Sequence, residues 1–135
     1  MFVSYNFQLI DEKEVCISAY DRSFLYGDGF FETIAYKNGE IRFLNDHFAR
    51  MKRATSIFSI ELNPKIDTSF LETAIQELIE KNNLSDEVKI NINVWRTEGG
   101  LYGSENTTHH ILIRVVNTTW NTSPTPLNKV VFFDE

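Results

Sequence analysis

The stretch Asp21-Arg-Ser-Phe-Leu-Tyr-Gly-Asp-Gly-Phe-Phe-Glu-Thr-Ile34 decides how this sequence is interpreted. Glycines on both sides of Asp28 are typical of a bend, and the aromatic and β-branched residues that follow are preferred in strands. We therefore predict an irregular segment over 21–29 that ends in a flexible bend, and then a strand over 30–36. This pattern fits a core strand after a tight turn as well as a strand that follows a binding loop.

The residues on either side of this strand predict more β-structure. Asn38-Gly39 separates the strand from residues 41–43, and Asn-Gly between two β-prone runs is a strong hairpin signal because both residues tolerate positive φ. Upstream, residues 2–10 and 15–19 are predicted as two strands separated by a charged turn.

Two helices are predicted to follow the hairpin. The first carries apolar residues at close to a 3.6-residue period, with Asn45 or Asp46 as its cap. The second runs from about Asp67 to Asn82, and Asp67 competes as its cap with a capping box formed by Ser69 and Glu72.

The rest of the chain predicts two strands and then a linker. Residues 88–95 alternate between apolar and polar, a Gly-rich loop covers 97–106, and a second strand covers 110–116. Strands, two helices and strands again favour an α+β fold, with two helices packed on one face of a mainly antiparallel sheet. We predict a small N-terminal domain over 1–117, an interdomain linker over 118–128, and the first strand of a further domain over 129–135.

The composition excludes several classes of protein. The 135 residues include 13 basic and 19 acidic side chains, and the resulting charge of −6 argues against non-specific nucleic-acid binding. A single cysteine, Cys16, excludes an intrachain disulfide. We find no apolar run long enough to cross a membrane and no signal peptide, so we expect a cytoplasmic protein without a membrane partner.

Two arginines are the strongest isolated candidates for binding. Arg50 follows His47 on one side of the first helix and fits either a bound phosphate or a solvated helix face. Arg96 precedes the Gly-rich loop and fits either a substrate carboxylate or an ordinary surface loop. The adjacent His109 and His110 point to opposite faces of a strand, so a shared metal is not expected.

Taken together, these segments resemble a known family. Asp21-Arg22, the run Tyr26 to Thr33, Asn38-Gly39, Arg42, His47 and Arg50-Met51 are similar to the N-terminal domain of the class IV aminotransferases, which are fold-type IV pyridoxal-phosphate enzymes. The family contains branched-chain aminotransferases, D-amino acid aminotransferases and 4-amino-4-deoxychorismate lyases. The resemblance covers about residues 1–133.

The resemblance implies a cofactor, a partner and site residues. Pyridoxal 5'-phosphate (PLP) is the expected cofactor, and Arg50 stands where the family binds its phosphate. Tyr26 and Phe31 stand where the family lines the pocket for a small-molecule substrate, partly across a homodimer interface. Arg96 and Tyr102 fall in the loop that helps to choose the substrate.

The resemblance also ranks the possible functions. The short start and the spacing look most like a lyase that makes 4-aminobenzoate for folate synthesis. The alternatives are an amino acid aminotransferase for branched-chain or D-amino acids, and a stand-alone, non-catalytic binding domain. Leu101 and Asn91 replace residues that are basic in several relatives, which weakens the expectation of a dicarboxylate substrate.

The family's Schiff-base lysine is expected outside this chain. In the family this residue lies in the C-terminal domain, soon after the strand that here begins at Lys129. Lys129 itself stands before that strand, where the family has no catalytic residue. We therefore assign no catalytic residue within the 135 residues, expect the lysine beyond Glu135, and expect the chain alone to be inactive.

Overall fold

A computed structural model of the chain describes residues 1–99 and 107–119. The elements, in chain order, are β1 (Phe2–Tyr5), β2 (Gln8–Asp11), a 3₁₀ turn (Glu12–Glu14), α1 (Arg22–Tyr26), β3 (Gly29–Lys37), β4 (Glu40–Ile41), α2 (Leu44–Ile57), α3 (Thr68–Lys81), β5 (Glu87–Arg96) and β6 (His109–Asn117).

The strands form one six-stranded sheet in the order β2-β1-β6-β5-β3-β4, and all of the described pairings are antiparallel. Strand β5 is central, because β3 pairs with it from Gly29↔Trp95 to Lys37↔Glu87 and β6 pairs with its other edge. Strand β4 pairs only with Tyr36 and Lys37 of β3. Within the described residues, the outer edge of β3 before Tyr36 therefore has no strand paired to it.

Both long helices cover one face of this sheet. Side chains alternate along a strand, and the apolar set on β3, β5 and β6 is fully buried against α2 and α3. This core contains Ile34, Ile90, Ile92, Ile113, Met51, Leu71, Ile75 and Leu78. The predicted α+β fold, with its antiparallel sheet and two helices on one face, is therefore confirmed.

The other face of the sheet is only partly covered. Val3, Trp95 and Leu112 form a small buried cluster there. The Trp95 indole Nε1 donates a hydrogen bond of 2.8 Å to Asp21 Oδ2, which places the start of α1 beside this cluster. Further along this face Phe31 and Arg114 are exposed, so we call it the open face.

The structure confirms the predicted cap of one long helix and contradicts that of the other. Asp67 caps α3, because its Oδ1 accepts a hydrogen bond from the Phe70 amide at 2.8 Å. The prediction that Asn45 or Asp46 caps the first helix is wrong. Phe43 holds that position with φ of 55°, and its side chain makes no capping hydrogen bond.

Three predicted segments near the N-terminus are also corrected. Residues 2–10 form a hairpin rather than one strand, since Asn6 and Phe7 both have positive φ and turn the chain between β1 and β2. Residues 15–19 form no strand. The segment predicted as irregular contains α1, which Asp21 caps and Gly27 ends in a left-handed conformation with φ of 61°.

The predicted boundary near residue 117 coincides with the end of β6 at Asn117. The predicted linker beyond Thr119 and the strand over 129–135 lie outside the described residues. The domain boundaries therefore stay predictions.

Candidate functional site

A buried carboxylate connects β3 to α2. Glu32 lies on the helix-facing side of β3, and its side chain is only 3% exposed. Arg50 donates from Nε to Glu32 Oε1 at 2.6 Å and from Nη2 to Oε2. His47 is three residues earlier on the same helix face, and its Nδ1 lies 2.8 Å from Oε2. The three side chains form what we call the Glu32 cluster.

The cluster keeps Glu32 ionised. Burial alone would raise the pKa of this carboxyl, but the hydrogen bonds from Arg50 and then His47 outweigh that effect and lower it. The same pairing raises the pKa of Arg50. At neutral pH the cluster therefore holds a fixed guanidinium against a fixed carboxylate.

Arg50 still faces solvent, because its side chain is 59% exposed although Nε and Nη2 are bound to Glu32. A guanidinium has five N–H donors, and the structure shows no other partner for Arg50 within residues 1–99 and 107–119. The remaining donors can bind an oxyanion from the outside, and the orientation of the group is already fixed. This donor set fits a phosphate.

Phe31 lies next to Glu32 in sequence but on the opposite face of the sheet. Its side chain is 70% exposed on the open face, where it borders a cavity of about 260 Å³. The walls are mainly apolar and include Ile17, Trp95 and Leu112, with the Asn93 amide as a polar group. This cavity suits an apolar part of a small molecule.

Tyr26 ends α1 near the same face. Its ring is partly exposed, and the Arg22 guanidinium carbon lies 4.8 Å from the ring centroid. Ser23 and Gly27, from the same turn of chain, line the cavity. The structure therefore places α1 and Phe31 on the same side of the sheet.

A second charged cluster lies where β5 ends. The Nε atoms of Arg22 and Arg96 both donate to Asp28 Oδ2, at 2.7 and 2.9 Å. Arg22 Nη1 also donates to the Gly99 carbonyl at 2.9 Å, whereas Arg96 donates to the carbonyls of Phe58 and Ser59. All three charged side chains are nearly buried. We call this group the Asp28 cluster.

The candidate residues from the sequence therefore occupy different environments. Arg50 is exposed on the helix side, Phe31 is on the open face, Tyr26 is exposed at the end of α1 against Arg22, and Arg96 is buried in the Asp28 cluster. Tyr102 lies outside the described residues. The roles of these residues stay predictions.

Sequence reasoning missed the two carboxylates that hold the arginines. Glu32 could have been noticed because it shares the alternating positions of Phe30 and Ile34, which face the helices. The sequence predicts a flexible bend around Asp28, but two arginine side chains fix this residue. No local pattern identifies the partners of Asp28, since one of them is 68 residues away.

Within the described ranges, no helix has both the length and the apolar character needed to cross a bilayer. Over the same ranges, no three His, Cys, Asp or Glu side chains are grouped as ligands for a metal ion.

Residues 29–134 match the sequence model of the family described as amino-transferase class IV. This chain belongs to that family. Class IV aminotransferases use PLP, and solved structures similar to this chain include complexes with pyridoxamine 5'-phosphate and with a phosphopyridoxyl derivative of glutamate.

Three relatives show the range of activities within the class IV aminotransferases. The chain is 28% identical over 102 residues to a D-alanine aminotransferase of Bacillus licheniformis, which covers 76% of this chain and 31% of that protein. It is 31% identical over 86 residues to a putative branched-chain-amino-acid aminotransferase of Methanocaldococcus jannaschii, covering 64% and 29%. It is 29% identical over 98 residues to an aminodeoxychorismate lyase of Bacillus subtilis, covering 70% and 33%. The matched part spans about a third of each relative.

The fold agrees with solved class IV structures. A branched-chain aminotransferase from Thermoproteus uzoniensis, solved with norvaline, superposes with a TM-score of 0.77 at 23% identity, covering 88% of this chain and 41% of that one. The branched-chain amino acid aminotransferase from Escherichia coli gives 0.76 at 16% identity, covering 92% and 46%. At these identities the likeness shows the fold alone.

Proposed function

We propose that this chain supplies the phosphate-binding and substrate-shaping part of a PLP-dependent class IV enzyme, with Arg50 binding the cofactor phosphate. The observation that carries the proposal is the Glu32 cluster. The Arg50 side chain is 59% exposed, and its guanidinium is held in one orientation by Glu32, whose side chain is only 3% exposed. A pre-oriented cation loses less conformational freedom on binding than a free arginine does.

PLP, when bound, supplies an electron sink for bonds at the substrate's amino-bearing carbon. In this proposal the chain's own residues bind and orient. Arg50 binds the phosphate, while Glu32 and His47 keep its guanidinium in place. The proposal assigns the Schiff-base lysine to a further part of the parent protein, since the matched region is about a third of each relative.

The substrate side of the proposed site is the open face. Phe31 and Tyr26 border the space for the substrate in this proposal, supported by the exposure of both rings and by the position of Phe31 at the apolar cavity. We keep Arg96 and Tyr102 as residues of the substrate-choosing loop. Because Arg96 is paired with Asp28, we propose that it affects substrate choice indirectly, by positioning the start of that loop.

For the parent protein we propose an aminodeoxychorismate lyase-like reaction that releases 4-aminobenzoate and pyruvate. The similarity to the lyase of Bacillus subtilis over 70% of the chain supports this choice. Amino acid transamination is the second candidate, supported by the D-alanine and branched-chain aminotransferase relatives. A stand-alone binding domain is the third, and it requires neither the lysine nor turnover.

We also propose a homodimer. Large apolar side chains are exposed close together around α1 and the start of β3, which is unusual for a surface that stays in water. They are Ile17, Tyr20, Phe24, Leu25, Tyr26 and Phe31. Sedimentation of wild type against Phe24→Glu tests this interface, and a monomeric wild type at micromolar concentration contradicts it.

The phosphate role is tested by titrating the chain with PLP and, separately, with inorganic phosphate. Arg50→Gln is expected to weaken both by about tenfold or more, since it removes a charge-assisted contact. Arg53→Gln, an exposed arginine on the same helix, is the matched control and should leave both affinities unchanged. Equal affinities for wild type and Arg50→Gln contradict the proposal.

The reaction is tested in the PLP-loaded parent. Release of 4-aminobenzoate and pyruvate from aminodeoxychorismate supports the lyase. Amino transfer from D-alanine or a branched-chain amino acid without lyase activity supports the second candidate. A parent that binds no PLP supports the non-catalytic alternative.

A further inference from the structure

We propose that Asp28 is a positioning residue that ties the start of the loop after β5 to the end of helix α2. The inference rests on the proposed function in one respect, namely that this loop takes part in substrate choice and α2 carries Arg50. The link itself follows from the contacts of the Asp28 cluster.

The first part of the link joins Asp28 to helix α2. Arg96 pairs with Asp28 Oδ2 and donates to the carbonyls of Phe58 and Ser59, at the C-terminal end of the helix. Carbonyl groups in the last turn lack partners within the helix, and a cation there also stabilises the negative end of the helix dipole. Arg96 therefore fixes the end of the helix that carries Arg50.

The second part joins Asp28 to the loop. Arg22 pairs with the same carboxylate oxygen and donates to the carbonyl of Gly99. The Asp28 carbonyl also accepts the Arg96 amide at 3.1 Å, so both the backbone and the side chain of Asp28 contact the end of β5. Arg22 therefore connects Asp28 to the start of the loop at Gly99.

The electrostatics make Asp28 the centre of this arrangement. Two guanidinium groups, with side chains 7% and 9% exposed, share one oxygen of a carboxylate that is 12% exposed. Removing that carboxylate takes away the negative charge that the two buried cations share, which is costly at low dielectric. Loss of Asp28 should therefore weaken both connections, whereas loss of one arginine leaves the ion pair between Asp28 and the other arginine in place.

The exchange rates of backbone amides report whether each of the two connections is lost. We call the connection from Asp28 through Arg22 to Gly99 the loop arm, and the connection through Arg96 to the end of α2 the helix arm. The Thr97 amide donates to the Thr108 carbonyl at 3.1 Å and reports the loop arm. The amides of Phe58 and Ile60 donate to Ala54 and Thr55 and report the helix arm. Ile92, in the middle of the central strand, reports overall stability.

The test is hydrogen exchange by NMR on the chain without cofactor. Asp28→Asn is expected to speed exchange on both arms by about tenfold, the factor that corresponds to one lost hydrogen bond to a charged group. Arg22→Gln should speed exchange at Thr97 only, and Arg96→Gln at Phe58 and Ile60 only. Arg53→Gln is the control and should change neither arm.

Two exchange results overturn the inference. One is an Asp28→Asn chain in which only one arm exchanges faster. The other is a set of variants in which Ile92 accelerates together with both arms, because the cluster then acts only on overall stability. Neither result depends on PLP, so the exchange pattern stands or fails separately from the proposed function.

The positioning role has its own readout in the PLP-loaded parent. Arg22→Gln is expected to raise KM for the amino substrate several-fold, with kcat and the PLP dissociation constant nearly unchanged. Parallel losses in kcat and PLP affinity would overturn a role in substrate positioning. A parent that binds no PLP would instead contradict the proposed function, while the exchange pattern still decides the link.

Discussion

Arg50 on α2 and Glu32 on β3 are joined through both oxygens of the carboxylate, with Nε bound to Oε1 at 2.6 Å and Nη2 bound to Oε2. The carboxylate is buried, whereas more than half of the arginine side chain is accessible. The pair therefore contributes to stability through Glu32, and its arginine remains open to a ligand.

Arg50→Gln is expected to destabilise the chain measurably, because it removes the charged partner of the buried Glu32 carboxylate and leaves it only the hydrogen bond with His47. Urea unfolding measures the free energy. Arg53→Gln should stay within about 0.5 kcal/mol of wild type. Equal stabilities for the two variants would show that the pairing of Glu32 with Arg50 does not stabilise the folded chain.

Glu32→Gln should make the chain less sensitive to acid. The pKa of Glu32 is lowered from its ordinary value of 4.5, so its stabilising effect is fully present above that pH and is lost as the pH falls through the folded value. Unfolding free energies from pH 6 downward should fall more steeply for wild type than for Glu32→Gln. Parallel curves would contradict this.

Protonation of His109 should make the chain less stable in mild acid. Burial lowers the pKa of His109 from 6.5, the neighbouring His110 lowers it further, and a hydrogen bond to the Glu61 carbonyl opposes this. A lowered histidine pKa gives stability that is present above 6.5 and lost as the pH falls. His109→Gln should flatten the pH dependence below 6.5, and thermal unfolding at each pH measures it.

Gly29→Ala should be much more damaging than Gly39→Ala. A Cβ at Gly29 would lie 2.6 Å from Trp95 Cβ and from the Val94 carbonyl oxygen, so β3 and β5 must separate locally. We expect a loss of about 3 kcal/mol. At Gly39 nothing lies within 4 Å, and only its positive φ opposes alanine, at about 1 kcal/mol. Thermal unfolding compares the two, and similar losses would refute the close approach.

Asp67→Ala should cost about 1 kcal/mol, because it removes the hydrogen bond to the Phe70 amide at the start of α3. Ser69→Ala is the matched control and should change stability by only a few tenths of that. The far-UV thermal transition decides between them. A larger loss for Ser69→Ala would mean that the capping box operates instead.

Much of the fold could be predicted because its signals are local. Asn38-Gly39 specifies a two-residue turn, and the alternation from Val88 to Val94 specifies a strand with one buried face. The errors near the N-terminus have a physical origin, because Asn6 and Phe7 turn the chain without a glycine or proline. The missed cap of α2 has the same origin, since Phe43 is not a residue type that caps helices.

The candidate site was less predictable because its contacts are distant in sequence. Arg50 could be chosen from its helix position and the family resemblance, but its partner lies 18 residues away on a strand. The sequence places Arg96 beside a loop, whereas its burial depends on Asp28 and on the end of α2. Such pairings follow from the packing of elements against one another, which local patterns do not encode.

The alternation of Phe31 and Glu32 along β3 has a practical consequence for engineering. Two adjacent residues face two separate environments, so substitution of Phe31 on the open face can reshape the cavity while the pairing of Glu32 with Arg50 is kept. A one-residue insertion in β3 would exchange the two sets, placing an aromatic ring among the helices and the carboxylate over the cavity. Point substitutions are therefore a safer way to redesign this strand than changes of length.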